Sequence, residues 1–225
     1  MFHKLLRFLS VPGADPSNAE FTSSSNYGAY FSRLPVLETA SLILRPLRMS
    51  DAADVYAYAA DPEVARYVLW DPHTSLRDTR SYIRYIRSLY RSGFPSSWGI
   101  VHRETNKVIG TIGFMWASGE NRSAEVGYSL SRQYWNRGYA TEALSAVIDS
   151  AFLTLNLHRI EAQRDVRNPA SGRVMEKCGM QYEGTMRSRL LNKGEFIDVA
   201  VYAILRKEWE HGGLSDRPPD PLRVE

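Results

Sequence analysis

The chain is poor in cysteine, in long apolar runs and in net charge. Cys178 is the only cysteine among 225 residues, so no internal disulfide can form, which fits a reducing cytoplasm. No apolar run approaches the roughly 20 residues that a membrane-spanning helix needs. The formal charge of +3 and the pI near 9.0 favour anionic ligands but are too small to indicate nucleic-acid binding. The five histidines lack the spacing of metal ligands, so the sequence predicts no metal site.

The composition is that of a globular protein, with 44% hydrophobic and 24% charged residues, and the length suits one compact domain. Residues 1–9 are apolar but interrupted by Arg7, which predicts a short amphipathic helix rather than a signal peptide or a membrane span. The Ser/Asn/Gly-rich stretch 22–32 predicts a flexible linker, and the Gly- and Pro-rich tail predicts disorder. The expected division is residues 1–35 for the amphipathic segment and linker, 36–210 for the folded domain and 211–225 for the tail.

Hydrophobic periodicity within that domain predicts the order β-α-α-β-β-β-α-β-α-β-β. This order gives an α/β (α+β) fold with a mixed, mostly antiparallel central sheet flanked by helices. The predicted strands are residues 41–47, 98–102, 108–116, 124–130, 158–166, 182–191 and 196–205. The predicted helices, with their caps, are residues 50–60, 75–91, 139–155 and 169–179.

The stretch 134–144, with the sequence YWNRGYATEAL, predicts a strand-to-helix turn that binds an anion. Gly138 allows the backbone to approach a ligand closely, and the amides after it are the unpaired donors of a helix N-terminus. Arg137 and the helix dipole add positive potential. The sequence therefore predicts a phosphorylated cofactor.

Four local signatures, in this order, resemble the GCN5-related N-acetyltransferase (GNAT) superfamily and, more narrowly, its Rim-type branch of ribosomal-protein N-terminal acetyltransferases. They are residues 37–46, residues 124–130, residues 135–142 and residues 168–184. The resemblance covers about residues 37–209. It implies a GNAT-like sheet with a splay between the fourth and fifth predicted strands, acetyl-CoA as cosubstrate, and a primary amine that attacks the thioester directly in a ternary complex.

The resemblance also assigns the cofactor site. The pyrophosphate is expected at Arg137, Gly138, Tyr139, Ala140 and Thr141; the pantetheine arm at Ser129, Leu130 and Ser131; and a contact near the thioester at Asn168. The superfamily's loop usually opens with Gln or Arg, and this chain has Trp135 there. The departure removes one side-chain contact, whereas the backbone cradle needs only amides and a small residue.

Three residues are candidates for proton transfer, two of them as alternatives for the base. Glu125, on the strand beside the expected splay, is the first candidate for the base; Glu161 on the next strand is the second, and a water relay is a third route. Ser171 is the candidate acid for the leaving thiolate, because the tyrosine that many relatives place four residues further on is Met175 here. The alternatives are structural: Glu125 as a rim carboxylate in a salt bridge, and Ser171 as an ordinary helix residue. A backbone amide near Val126 or Gly127 is expected to polarise the acetyl carbonyl as negative charge develops on it.

The helix predicted at 75–91 carries a basic stripe opposite Ile83 and Ile86. Its members are Arg77, Arg80, Arg84, Arg87 and Arg91. One interpretation is a solvated face that pairs with local acids, and the other is docking to an acidic surface such as a ribosome or a polypeptide substrate.

The sequence thus predicts an acetyl-CoA-dependent N-acetyltransferase that acts on the N-terminal α-amino group of a protein. A small amine such as a polyamine, an amino acid or an antibiotic is the alternative acceptor, and a non-catalytic acyl-CoA-binding sensor or scaffold is the alternative of another class. The acceptor's identity and the oligomeric state, including a homodimer, stay open at this point.

Overall fold

The computed structural model of the protein describes residues 25–212, so the expected amphipathic segment and nearly all of the tail lie outside the described residues. The strands are β1 (Leu37–Glu38), β2 (Leu42–Pro46), β3 (Ser97–His102), β4 (Lys107–Ser118), β5 (Ser123–Leu130), β6 (Arg159–Asp165), β7 (Gln181–Asn192) and β8 (Glu195–Leu205). The helices are α1 (Ser25–Ser32), α2 (Ala52–Ala59), α3 (Pro62–Ala65), α4 (Leu76–Ser92), α5 (Tyr139–Thr154), α6 (Pro169–Lys177) and α7 (Arg206–His211). Two 3₁₀ turns occupy Met49–Asp51 and Arg132–Tyr134.

The predicted order of elements is confirmed, and the structure adds short elements that the periodicity did not predict. These are α1, β1, α3 and α7, of which β1, α3 and α7 are too short to show a period of their own. Among the described residues, no helix combines the length and the apolar character needed to cross a membrane.

The eight strands form a single sheet in the order β1-β2-β3-β4-β5-β6-β8-β7. Every neighbouring pair is antiparallel except β5 and β6, which run parallel. That parallel pairing covers only Ser123 to Glu125 on β5, opposite Arg159 to Glu161 on β6, and the two strands then separate. Since β1 precedes the first predicted strand, this is the splay expected between the fourth and fifth predicted strands, and the predicted mixed sheet is confirmed.

A β-bulge lies beside the point of separation. Phe114 of β4 faces Val126, and Trp116 faces Glu125, so Met115 is an extra residue on the β4 side. A bulge of this kind re-aims the side chains on either side of it. Here it places the Trp116 indole next to the carboxylate of Glu125.

Two apolar cores cover the two faces of the sheet. One contains Leu144 and Ile148 of α5 packed against Val126 of β5. The other contains Val55 of α2 and Ile83 of α4. Because side chains alternate along a strand, the even-numbered residues of β5 face the α5 side and the odd-numbered ones, including Glu125, face the α2 and α4 side.

Helix α1 corrects the predicted linker, because its residues Tyr27, Tyr30 and Phe31 pack into the α5-side core. The Phe31 side chain is fully buried and meets the Phe114 ring edge-on at 5.9 Å. The Tyr30 hydroxyl lies 2.9 Å from Ser150 Oγ of α5. The small polar residues hid an amphipathic pattern, in which the apolar positions 27, 30, 31 and 34 follow a helical repeat. The prediction of a flexible linker is therefore wrong for residues 25–32.

We expect Phe31→Ala to lower the free energy of unfolding by about 3–5 kcal/mol, because it removes a fully buried aromatic ring from a packed core. Urea denaturation of the full chain measures the change. Val36→Ala is the control, since that side chain is 56% exposed and should alter stability by less than about 0.5 kcal/mol. A loss at Phe31 no larger than the control's would contradict the docking of α1.

Candidate active site

The gap between β5 and β6 presents a row of main-chain groups from one edge of β5. The Ser131 amide donates to Ile109 O of β4 at 2.7 Å, so the main chain of the odd-numbered residues at this end points towards β4. By strand alternation, Val126, Tyr128 and Leu130 present their amides and carbonyls to the gap. An extended ligand arm can pair with such an edge as an added strand does.

The three residues expected to hold the pantetheine arm are not equivalent in this arrangement. The main chain of Leu130 faces the gap, but the Leu130 carbonyl already accepts a 2.8 Å hydrogen bond from Trp135 Nε1. The main chains of Ser129 and Ser131 point to β4, and Ser129 Oγ lies 3.2 Å from Thr111 Oγ1. Trp135, which stands where the family's loop usually has Gln or Arg, thus stabilises the loop through this hydrogen bond.

The loop before α5 is open at the helix N-terminus. Gly138 is the N-cap with φ of 85°, and no side chain caps the helix. The first helical bond of the turn runs from the Glu142 amide to Gly138 O, so the helix itself leaves the amides of Tyr139, Ala140 and Thr141 without acceptors. Apart from Gly138 itself and its two neighbours in the chain, no residue has an atom within 4 Å of where a Cβ on Gly138 would sit. This backbone cradle fits a phosphate group.

Aromatic contacts anchor the same loop to the sheet. His102 at the end of β3 is 5% exposed, and its Nε2 lies 3.1 Å from the Tyr139 hydroxyl. The guanidinium of Arg137 lies over the Tyr134 ring at 5.8 Å. No spacing in the sequence links His102 to a loop 37 residues later, so only the fold reveals this anchor.

Glu125 sits where the parallel pairing ends, and two side chains donate hydrogen bonds to one of its oxygens. Trp116 Nε1 and Gln163 Nε2 reach Oε2 at 2.7 and 3.2 Å. Burial raises the pKa of Glu125, and the nearby charge of Glu161 raises it further. The hydrogen bond from Trp116 lowers it, and the resulting pKa is about 7. A carboxyl group of this kind takes up and releases a proton near neutral pH.

The other candidate base, Glu161, is held in an ion-pair network. Arg159 Nε contacts Glu161 Oε2 at 2.9 Å, and the same guanidinium reaches both oxygens of Glu183 at 2.7 and 2.6 Å. Arg159 forms an ion pair with Glu161 but not with Glu125. Because an ion pair stabilises the charged form of a carboxylate and makes it a weaker base, the geometry favours Glu125 as the proton acceptor.

Ser171, the candidate acid, is hydrogen-bonded to a tyrosine that the sequence did not single out. Its Oγ lies 3.0 Å from the Tyr128 hydroxyl, which also donates to the Ser171 carbonyl at 3.0 Å. Burial raises the pKa of Tyr128, so this phenol stays protonated at neutral pH. Met175, by contrast, is only 1% exposed and packs in the core.

Asn168 has a clear structural part, because its Oδ1 accepts the Ser171 amide at 3.3 Å and caps α6. The cap fixes the first turn of α6, which carries the Ser171 hydroxyl. Side-chain alternation puts Tyr128 and Ser171 on the α5 side of β5 and Glu125 on the opposite side. A ligand lying through the gap would thus have the carboxylate on one face and the hydroxyl pair on the other.

Comparisons with known proteins agree with this architecture. The family described as the acetyltransferase (GNAT) domain matches residues 41–181. The uncharacterized N-acetyltransferase p20 of Bacillus licheniformis is 37% identical over 176 residues, which make up 78% of this chain and 99% of that protein. The ribosomal protein uS5-alanine N-acetyltransferase of Escherichia coli (strain K12) is 26% identical over 184 residues, covering 78% of this chain and 93% of that protein. A GNAT-family acetyltransferase structure from Bacillus anthracis has a TM-score of 0.69 at 29% identity, covering 77% of this chain and 99% of that one.

We expect Glu125→Gln to unfold with a higher free energy than the parent protein at about pH 8, with a difference that shrinks towards about pH 5. The ordinary pKa of 4.5 rises to about 7 in the folded state, so the folded protein binds more protons between these values. Its stability therefore falls as the pH rises through that window. Urea denaturation at a series of pH values measures the difference.

Glu183→Gln is the control with the opposite sign, because the ion pair with Arg159 lowers the pKa of Glu183. The glutamate then contributes stability above its ordinary pKa, and the variant should be less stable than the parent protein at about pH 8. A Glu125→Gln difference that does not change with pH would show that Glu125 ionises like an exposed carboxylate.

Proposed function

Since the chain belongs to the GNAT family of acetyltransferases, we propose that it transfers an acetyl group from acetyl-CoA to the N-terminal α-amino group of a protein. The observation that carries this proposal is Glu125, a carboxylate beside the gap of the sheet with a pKa of about 7. The relative that is 26% identical and is named for acetylating an alanine of ribosomal protein uS5 supports a protein acceptor. The lone Cys178 fits the cytoplasm as the compartment.

The proton balance favours an α-amino group over a side-chain amine. An α-amino group has a pKa of roughly 8, within about one unit of Glu125, whereas a lysine or polyamine nitrogen lies more than two units higher. General base catalysis works best when the pKa of the base is close to the working pH and to that of its substrate. Glu125 takes the proton that the attacking nitrogen loses, either directly or through one water molecule.

The residues of the chain fit acetyl-CoA on the α5 side of the gap. Acetyl-CoA supplies the acyl group as an activated thioester. The amides of Tyr139, Ala140 and Thr141, with the guanidinium of Arg137, would hold the pyrophosphate at the start of α5. The Val126 amide, which faces the gap, would donate to the carbonyl oxygen as negative charge develops on it.

The hydroxyl pair on the α5 side would complete the transfer. As the carbon–sulfur bond breaks, the Ser171 hydroxyl donates its proton to the thiolate, and the Tyr128 hydroxyl orients Ser171 from the other side. Glu125 then releases its proton to solvent and Ser171 regains one from solvent, so the enzyme is restored and the net products are the amide and the free thiol. Each group stays on its own face of β5, which keeps the base away from the thiol.

The acceptor is tested by measuring thiol release from acetyl-CoA over a panel of amines. We expect turnover with short peptides that have a free N-terminus, and none with the same peptides when their N-terminus is blocked and a lysine side chain is the only amine. Spermidine, free amino acids and an aminoglycoside are the further arms. Preference for any of these small amines would overturn the protein acceptor. Binding without turnover in every arm would overturn the enzymatic proposal.

We expect Glu125→Gln to lower kcat/KM on the best peptide by about 100-fold or more, the usual contribution of a general base. The parent enzyme should gain activity as the pH rises through about 7, since the carboxylate must be deprotonated to act, and the variant should lose this limb of the profile. Initial rates across pH measure both effects. Glu183→Gln, which changes an exposed carboxylate of the neighbouring ion-pair network, should keep the limb, and a variant of Glu125 that also keeps it would reject the role.

A further inference from the structure

Helix α4 carries five arginines along one exposed side. Arg77, Arg80, Arg84, Arg87 and Arg91 are all exposed, whereas Ile83 and Ile86 on the other side of the helix are buried. At 100° per residue the five fall within about 80° of the helix surface, and they span about 21 Å along its axis. We call this set the arginine row.

The arginine row makes no ion pair with a carboxylate, whereas seven other arginines among the described residues do. Within residues 25–212, no ion pair joins any member of the row to a carboxylate. Arg84 bonds only the Ser81 hydroxyl of the same helix, at 2.9 Å. Arg45 and Arg159, in contrast, each reach carboxylates within 2.9 Å. A face that merely solvates a helix is normally interspersed with acids, and this one is not.

The row also concentrates the positive charge of the whole chain. Helix α4 contains five arginines and one aspartate, a formal charge of +4, while the chain carries +3, so all other residues together carry −1. The small net charge of the protein therefore hides one strongly basic face. Asp78, the single acidic residue of the helix, accepts a hydrogen bond from the Thr74 hydroxyl before the helix begins and pairs with no member of the row.

We propose that the arginine row binds the phosphate backbone of RNA. The row contains arginine and no lysine, and guanidinium groups form the planar, two-pronged hydrogen bonds that suit phosphate oxygens. Ser81 and Ser88 flank the row, and hydroxyl groups are common partners of backbone phosphates. The regular spacing of the five charges along the helix axis, every three or four residues, matches an evenly charged strand better than the irregular carboxylates of a protein surface.

RNA binding would hold the enzyme against a ribonucleoprotein while the acceptor N-terminus enters the gap, so its biological meaning rests on the proposed acetyl transfer. The binding itself needs neither acetyl-CoA nor an amine. A failure of one proposal can therefore be separated from a failure of the other by measuring peptide acetylation and RNA binding on the same preparation.

The test measures fluorescence anisotropy of a labelled single-stranded RNA of about 20 nucleotides with the full chain. For five phosphate contacts the slope of log K against log salt should be about −3.5, so the affinity should fall roughly 100-fold between about 50 and 200 mM salt. The triple variant Arg80→Gln, Arg84→Gln, Arg87→Gln should reduce the size of the slope by about 2, because three contacts are lost. Glutamine keeps the helix, and thermal unfolding checks this.

The matched control removes three equally exposed cations from other elements, through Arg33→Gln, Lys107→Gln and Lys207→Gln. It has the same net charge as the triple variant and should keep the parent slope. Both variants should acetylate a short free peptide at the parent rate. Equal loss of RNA binding in the two variants would show an effect of net charge alone and would overturn the proposal. Tighter binding to a glutamate-rich peptide than to RNA at the same salt concentration would overturn it in favour of an acidic protein partner.

Discussion

The separation of β5 and β6 after three paired residues is the constraint on which the rest of the site depends. While the strands are paired, the main chain of β5 is satisfied by β6; beyond Glu125 its amides and carbonyls face a gap. A bulge in β4 at Met115 adds local twist beside the point where pairing ends. The same opening therefore exposes the main-chain groups that a ligand arm can pair with. It also lets one ligand reach side chains on both faces of the sheet.

The charged form of Glu125 is destabilised by its surroundings, and the neighbouring side chains partly compensate for this. Burial and the charge of Glu161 both work against ionisation, while Trp116 and Gln163 donate hydrogen bonds to the charged form. Arg159 takes up the charge of Glu161 and so limits the repulsion. The balance leaves Glu125 with a pKa of about 7, between the value of an exposed carboxyl group and that of a fully buried one, which is the range that proton transfer from an amine requires.

Much of the architecture followed from local patterns, and the exceptions have specific causes. The loop at Gly138 and the cap at Asn168 were predictable, because turn geometry and helix capping depend on residues close together in the chain. The partners of the candidate residues were not: Tyr128 lies 43 positions from Ser171, and Gln163 lies 38 from Glu125. Helix α1 was missed because the composition of residues 22–32 outweighed its apolar spacing, and the aromatic rings that hold it come from distant strands. The roles assigned to the site residues stay predictions.

Short-range spacing and periodicity were enough to identify the family, the order of the elements, the anion-binding loop and the basic stripe of α4. The tertiary packing determines which candidate base has a raised pKa and which is held in an ion pair, since both depend on ring and guanidinium positions from strands far apart in the chain. It also decided that the arginine row has no carboxylate partner among the described residues. Burial and ion pairing are properties of the packed molecule, and a pattern in one segment cannot specify what the other segments bring to it.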